Sequence, residues 1–310
     1  MRELPCESSV GFGCTLMGLM TVPIAPNRRS DARTGYLLVL LAAATWSLIG
    51  VFATKARRLG IEPLEIAFWR AAIGGSLFVA HAGFHSERRP AQKDFGRVGA
   101  LGFIGVAAFY VCSNLATTTG GVSLAVVLLY TAPAFVTLLA RPMLGEAWTR
   151  SKLVVVAVVL FGVAMVAASG GSGLRVSASS VGWGLAAGLS YSSIYLLGKP
   201  LFERSSAVGV YAIAMPLGAL LLLPFVTFHH KSGAAWGWLI VLGALSTYGG
   251  HLAYGRGIAS IEASRGVVVA TVEPVLALVW GATFFGERFG ALGLVGSVCI
   301  IAASLLATLT

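Results

Sequence analysis

Residues 122–146 read VSLAVVLLYTAPAFVTLLARPMLGE, and residues 266–287 read GVVVATVEPVLALVWGATFFGE. Sliding one over the other by 141 residues puts Pro133 on Pro274, Gly145 on Gly286 and Glu146 on Glu287. Each copy is an apolar run with a proline near its middle, closed by Gly-Glu and followed by another apolar run. Two such copies point to a duplicated membrane protein, not to one long soluble core.

The rest of the composition agrees. Of the 310 residues, 57% are hydrophobic and 11% charged, against about 25% charged in a typical soluble domain. A transmembrane helix needs about 20 mostly apolar residues, and the apolar runs predict ten spans, near 35–54, 64–84, 96–116, 122–143, 152–169, 180–200, 207–228, 236–258, 262–284 and 290–309. Each run is too long for a barrel strand and is rich in Leu, Ala and Gly. The expected fold class is therefore all-α membrane protein. Residues 1–34, mixed and basic towards their end, read as an N-terminal cytoplasmic tail.

Small-residue spacings such as Gly96, Gly99, Gly102 and Gly105, or Gly184 and Gly188, predict close helix packing. They serve contacts within one chain and between chains equally, so monomer and homodimer both stay open. Trp183, Trp236 and Trp238 lie near span starts, as an interfacial belt would.

The net charge of +10 lies mostly in loops between apolar runs, which argues for membrane orientation and against a nucleic-acid partner. Fifteen Lys and Arg fall on the side of both termini and six on the other. The positive-inside rule places both termini in the cytoplasm. Cys6, Cys14, Cys112 and Cys299 form no CxxC pair, so neither a disulfide framework nor a zinc site is expected.

Five spans per copy is an odd number, so the second copy must enter the membrane upside down. The expected domains are residues 35–169 and 180–309, two inverted five-helix repeats enclosing a mid-depth site, a common construction of secondary transporters. No HExxH, GxSxG or GxxxxGK[ST] run is present. No catalytic residue, metal or cofactor is expected, and the missing phosphate loop argues against ATP-driven transport by this chain alone.

The paired proline and Gly-Glu runs, Trp46 in span 1, Arg70 in span 2 and Glu273-Pro274 in span 9 resemble the drug/metabolite transporter superfamily, of the EamA type. The resemblance covers residues 35–309. It implies a ten-helix bundle that carries small organic solutes: amino acids, nucleotide sugars, phosphorylated sugars or drugs. The chain is most similar to bacterial exporters of aromatic and other amino acids, which implies the inner membrane. It departs from a perfect repeat, because Glu273 aligns with Ala132 and Arg70 has no basic counterpart in span 7.

Several residues are candidates for the site. Pro133 and Pro274 each remove an N–H and free a carbonyl four residues back, at Leu129 and Ala270. Such a carbonyl is satisfied by a neighbouring helix at a kink, or it lines a cavity at a hinge. Tyr130 and Thr271 stand beside these carbonyls at matching places. In span 8, Thr247, His251 and Tyr254 share one face, and the 141-residue shift puts His251 on Tyr110 and Tyr254 on Ser113, next to Asn114. Trp46, Tyr191 and Tyr195 lie inside spans 1 and 6, where packing and cavity wall are both open to them.

The expected substrate wall is thus Trp46, Tyr110, Asn114, Tyr130, Tyr191, Tyr195, His251, Tyr254 and Thr271. Glu273 sits near mid-depth, where an unpaired carboxylate costs about 2.5–3.5 kcal/mol, so it is expected to be protonated or paired. It reads either as a proton-coupling group or as a structural bond beside the Pro274 kink. Arg70 either snorkels or pairs with Glu65 or another acid. Glu146 and Glu287 follow Gly at helix ends, where capping is the ordinary role.

The function expected is export of amino acids and related small solutes by alternating access. The alternatives are another cargo, a drug, organic cation or nucleotide sugar, or an intramembrane lipid-modifying enzyme. A non-transporting scaffold would have a close-packed centre. A phosphorylated cargo would need several basic groups facing the cavity, which the spans lack.

Overall fold

In the computed structural model, residues 28–85, 87–169, 176–286 and 290–309 are described, and they form ten helical spans. Helix α1 runs as Arg28–Ser47 and Ile49–Arg57, α2 as Pro63–Phe84, and α3 as Gln92–Gly120. Helix α4 runs as Val122–Leu129 and Ala132–Leu144, α5 as Arg150–Ser169, and α6 as Ala178–Leu196 and Gly198–Arg204. Helix α7 covers Ala207–Leu222, and α8 covers 233–258. Helix α9 runs as Ala263–Ala270 and Glu273–Phe285, and α10 as Ala291–Leu309. Most of the expected tail lies outside the described residues, and α1 already begins at Arg28, seven residues before the expected start of span 1.

The repeat is visible in the backbone. The breaks of α4 and α9 fall at Tyr130–Thr131 and Thr271–Val272, related by the same 141-residue shift as the prolines. Helices α3 and α8 each contain an eight-residue stretch wound more loosely, as a π-helix, at Leu101–Ala108 and Leu242–Gly249. That shift is again 141, although little more than Leu-Gly is shared between the two stretches.

Packing obeys the same symmetry. Helix α3 lies on α6 as α8 lies on α1, α4 lies on α6 as α9 lies on α1, and α3 lies on α7 as α8 lies on α2. The pairs α2 with α7, α4 with α9 and α5 with α10 straddle the pseudo-two-fold axis. The end of α4 meets the start of α9, where Glu146 bonds Ala263, so these two counterparts run antiparallel. The two halves are inverted.

Close approach has a local cause. A Cβ on Gly162 would stand 2.8 Å from the Gly296 carbonyl, and one on Gly296 2.5 Å from the Gly162 carbonyl, so glycine lets the α5 and α10 backbones touch. Of the expected glycine stripe, Gly102 and Gly188 meet neighbouring backbone in this way, Gly105 and Gly184 meet side chains, and Gly96 and Gly99 face open space. The outer faces of α5 and α10 expose Val154, Phe161, Leu294, Val298 and Leu305, as suits contact with lipid tails.

One buried charge cluster locks the second helix to the loop before α8. Glu65 is fully buried and pairs with Lys231, accepts from the His229 backbone N–H at 3.2 Å, and lies 2.9 Å from the His229 ring. The Lys231 ammonium is ringed by Trp69, Phe228 and Trp236 at 5.3–5.6 Å. Arg70 is therefore not the partner of Glu65. Trp236 also walls the lysine, because an ammonium held away from water gains from aromatic faces.

Candidate functional site

The breaks in α4 and α9 follow from their prolines. Pro133 and Pro274 sit in the first turn of the second segment of each helix, where a missing N–H costs nothing. The chain turns for two residues ahead of them instead of kinking smoothly. Threonine hydroxyls repair part of the loss: Thr131 donates to the Leu128 carbonyl at 2.6 Å, and Thr271 to that of Val268. The opened turns carry Tyr130 on one side and Glu273 on the other towards the centre of the bundle.

There, between the halves, lies a cavity of about 230 Å³. Trp46 and Ile49 of α1, Arg70 of α2, Phe109, Tyr110 and Ser113 of α3, and Leu129 and Tyr130 of α4 wall it from the first half. Tyr191 and Ile194 of α6, Tyr211 and Met215 of α7, His251 of α8 and Glu273 of α9 wall it from the second. Trp46, Ile49, Leu129, Tyr130 and Glu273 also border a wider chamber of about 640 Å³. This chamber runs past Pro274 towards Arg58 and Phe285, at the face where α1 and α9 end and α4 begins.

The opposite end is closed. Beyond α4, Gly145 takes a left-handed conformation (φ 74°) and turns the chain so that Glu146 reaches across to α9. The Glu146 carboxylate accepts from the N–H of Ala263 at 2.6 Å, the N–H of Ser264 at 3.2 Å and the Ser264 hydroxyl. Lys152 at the start of α5 lies 3.5 Å from Glu146 and 3.2 Å from Glu262. Lys199 of α6 donates to the Ile261 carbonyl at 2.8 Å. Glu146 is therefore a cap, and the helix N-terminus it caps belongs to the other half. Glu287 lies outside the described residues.

Within the cavity, Arg70 places its guanidinium 5.0 Å from the centre of the Tyr110 ring, and its Nε donates to the Thr247 hydroxyl at 3.3 Å. Among the described residues it makes no ion pair. The Tyr130 hydroxyl faces the Glu273 carboxyl. His251 bonds the Thr247 carbonyl through Nδ1 at 2.8 Å and stands edge-on to Trp46 at 5.2 Å.

The structure brings Trp46, Tyr110, Tyr130, Tyr191, His251, Arg70 and Glu273 to one wall. Tyr195 and Tyr254 stand one layer behind, the first donating to the Tyr191 hydroxyl at 3.3 Å and the second to the Ile194 carbonyl at 3.2 Å. Thr271 is buried on its own backbone bond, and Asn114 is off the wall while its neighbour Ser113 is on it. Pro274 borders the wider chamber and Pro133 is buried.

Sequence reasoning missed Tyr211, whose buried hydroxyl has no partner among the described residues, and the closure of Glu146 on Ala263. A tyrosine inside an apolar run was a usable signal for the first. The second left none, because the bond from Ala263 to Glu146 spans 117 residues.

The sequence model of the EamA-like transporter family matches residues 33–168 and again 178–309. A curated protein of Streptantibioticus cattleyicolor, named a probable terminal-alkyne amino-acid exporter, is 28% identical over 86% of this chain and 93% of its own length. An uncharacterized transporter of Archaeoglobus fulgidus is 26% identical over 89% of this chain and 96% of its own. A solved crystal structure superposes with a TM-score of 0.74 at 18% identity, covering 90% of this chain and 98% of that one, a likeness of fold.

Proposed function

We propose, on the premise that this chain belongs to the EamA-like transporter family and is thus a membrane transporter of small molecules, that it exports amino acids by alternating access. The observation that carries the reading is a cavity between inverted halves that shares a wall with a chamber towards one face, while Glu146 ties the halves together at the other. Such an arrangement is one of the two states an alternating-access carrier requires. The aromatic wall of Trp46, Tyr110, Tyr130 and Tyr191 suits an apolar or aromatic side chain. The name of the Streptantibioticus relative supports amino acids as the cargo.

In this reading the halves are residues 35–169 and 180–309, residues 1–34 form a cytoplasmic tail, and the protein sits in a bacterial inner membrane with both termini inside. The chamber then opens to the outside and Glu146 closes the cytoplasmic end. Phosphorylated cargo fits less well, because Arg70 is the one Lys or Arg on the inner cavity wall.

The test is counterflow of labelled amino acids in liposomes holding the purified protein. Accumulation of at least one amino acid above empty liposomes is expected. None across a panel of twenty overturns the amino-acid reading.

A further inference from the structure

We propose that Arg70 and Glu273 are the two poles of the binding site, receiving the carboxylate and the ammonium group of one zwitterionic α-amino acid. This rests on the amino-acid reading above and adds which atoms hold the cargo. Arg70 and Glu273 are the wall's one Arg or Lys and one Asp or Glu, they come from different halves, and no ion pair joins them. A charge in the membrane interior is costly unless partnered. Two opposite charges serving structure alone would pair directly; here both face one cavity without an ion pair between them.

Each is fixed for a ligand. The Tyr110 ring and the Thr247 hydroxyl orient the guanidinium through its face and its Nε, leaving both terminal NH₂ groups without an acceptor among the described residues. That free fork matches a carboxylate in two-point geometry. Glu273 begins the second segment of α9; among the described residues the Tyr130 hydroxyl is its one hydrogen-bond partner, which leaves an oxygen for an ammonium. A plain cation would be repelled by Arg70 and a plain anion by Glu273, so the pair selects molecules carrying both charges. About 230 Å³ is below the roughly 300–1,000 Å³ of pockets for drug-sized ligands, as a single amino acid requires.

The experiment is counterflow of labelled phenylalanine by the full-length protein in liposomes, with phenylalanine, N-acetylphenylalanine or phenylalaninamide as competitor. Against the wild type each blocked analogue should compete about 30-fold more weakly than phenylalanine, the scale of leaving one charge of a desolvated pair unmatched. Glu273→Gln should nearly abolish the penalty on the N-acetyl compound and keep that on the amide. Arg70→Gln should do the reverse, and Arg70→Lys should restore discrimination against the amide.

Equal competition by all three ligands in the wild type overturns the proposal. So do variants that weaken all three ligands in the same proportion. The wild-type comparison stands even for a variant lost from the membrane. If phenylalanine and every other amino acid fail to counterflow, it is the amino-acid reading that falls, a different outcome from transport without discrimination.

Discussion

Replacing Glu146 by glutamine should unlock the closed end of the carrier. In the structure its carboxylate, 8% exposed, accepts three hydrogen bonds from Ala263 and Ser264 and faces the Lys152 ammonium at 3.5 Å. Hydrogen bonds to a charged acceptor contribute about 1.5–3 kcal/mol each, roughly twice a neutral one. Glutamine keeps one carbonyl oxygen, presents an NH₂ to a helix N-terminus that also offers N–H groups, and leaves Lys152 with Glu262 alone. A loss of about 2–3 kcal/mol from the closed arrangement follows, a shift of about 30- to 150-fold in its population relative to the open one.

Thr137 reports this shift. It is buried, its hydroxyl has no hydrogen-bond partner among the described residues, and it lines a small space with Lys152 and Ser264 just inside the closure. With Cys6, Cys14, Cys112 and Cys299 replaced by serine, Thr137→Cys should react slowly with a membrane-impermeant maleimide in inside-out vesicles. Adding Glu146→Gln should speed that reaction by at least tenfold, with no change in right-side-out vesicles. Equal labelling rates with glutamate and glutamine would refute the idea that this carboxylate holds the end shut.

Three further outcomes are expected. A side chain at Gly188 would put its Cβ 2.7 Å from the Leu128 carbonyl and from the Thr131 hydroxyl, so Gly188→Leu should force α6 off the α4 break, destabilise by about 1–3 kcal/mol or more, and abolish counterflow. Glu65→Gln should lower stability by about 3–5 kcal/mol, because it strands the buried Lys231 charge, and Glu65→Gln with Lys231→Met should recover most of that in thermal melts in detergent. In intact cells an impermeant thiol reagent should label Leu59→Cys, after α1, and spare Arg89→Cys, after α2; the reverse pattern would invert the proposed orientation.

Much of the architecture was legible before any coordinates. Apolar runs of helix length, a shift of 141 residues and an odd number of spans per copy leave few solutions, since a membrane admits helices and closed barrels only. The prolines also announced the two central breaks, because a missing N–H acts locally. Other features needed the fold. Position within a span marks Tyr191, Tyr195 and Tyr254 as candidates, but in a protein surrounded by lipid both the core and the exterior are apolar, so hydropathy does not tell a side chain touching a void from one a layer behind it. Arg70 and Glu273 stand 203 residues apart in the chain and on different halves, and only the packing of α2 and α9 around one cavity makes them neighbours of the same space. For Glu146 the sequence suggested capping but not which helix would be capped. Its partners on α9 became available only when the inverted second half brought an antiparallel helix start, with its unpaired N–H groups, within reach of a carboxylate that the left-handed Gly145 had already aimed.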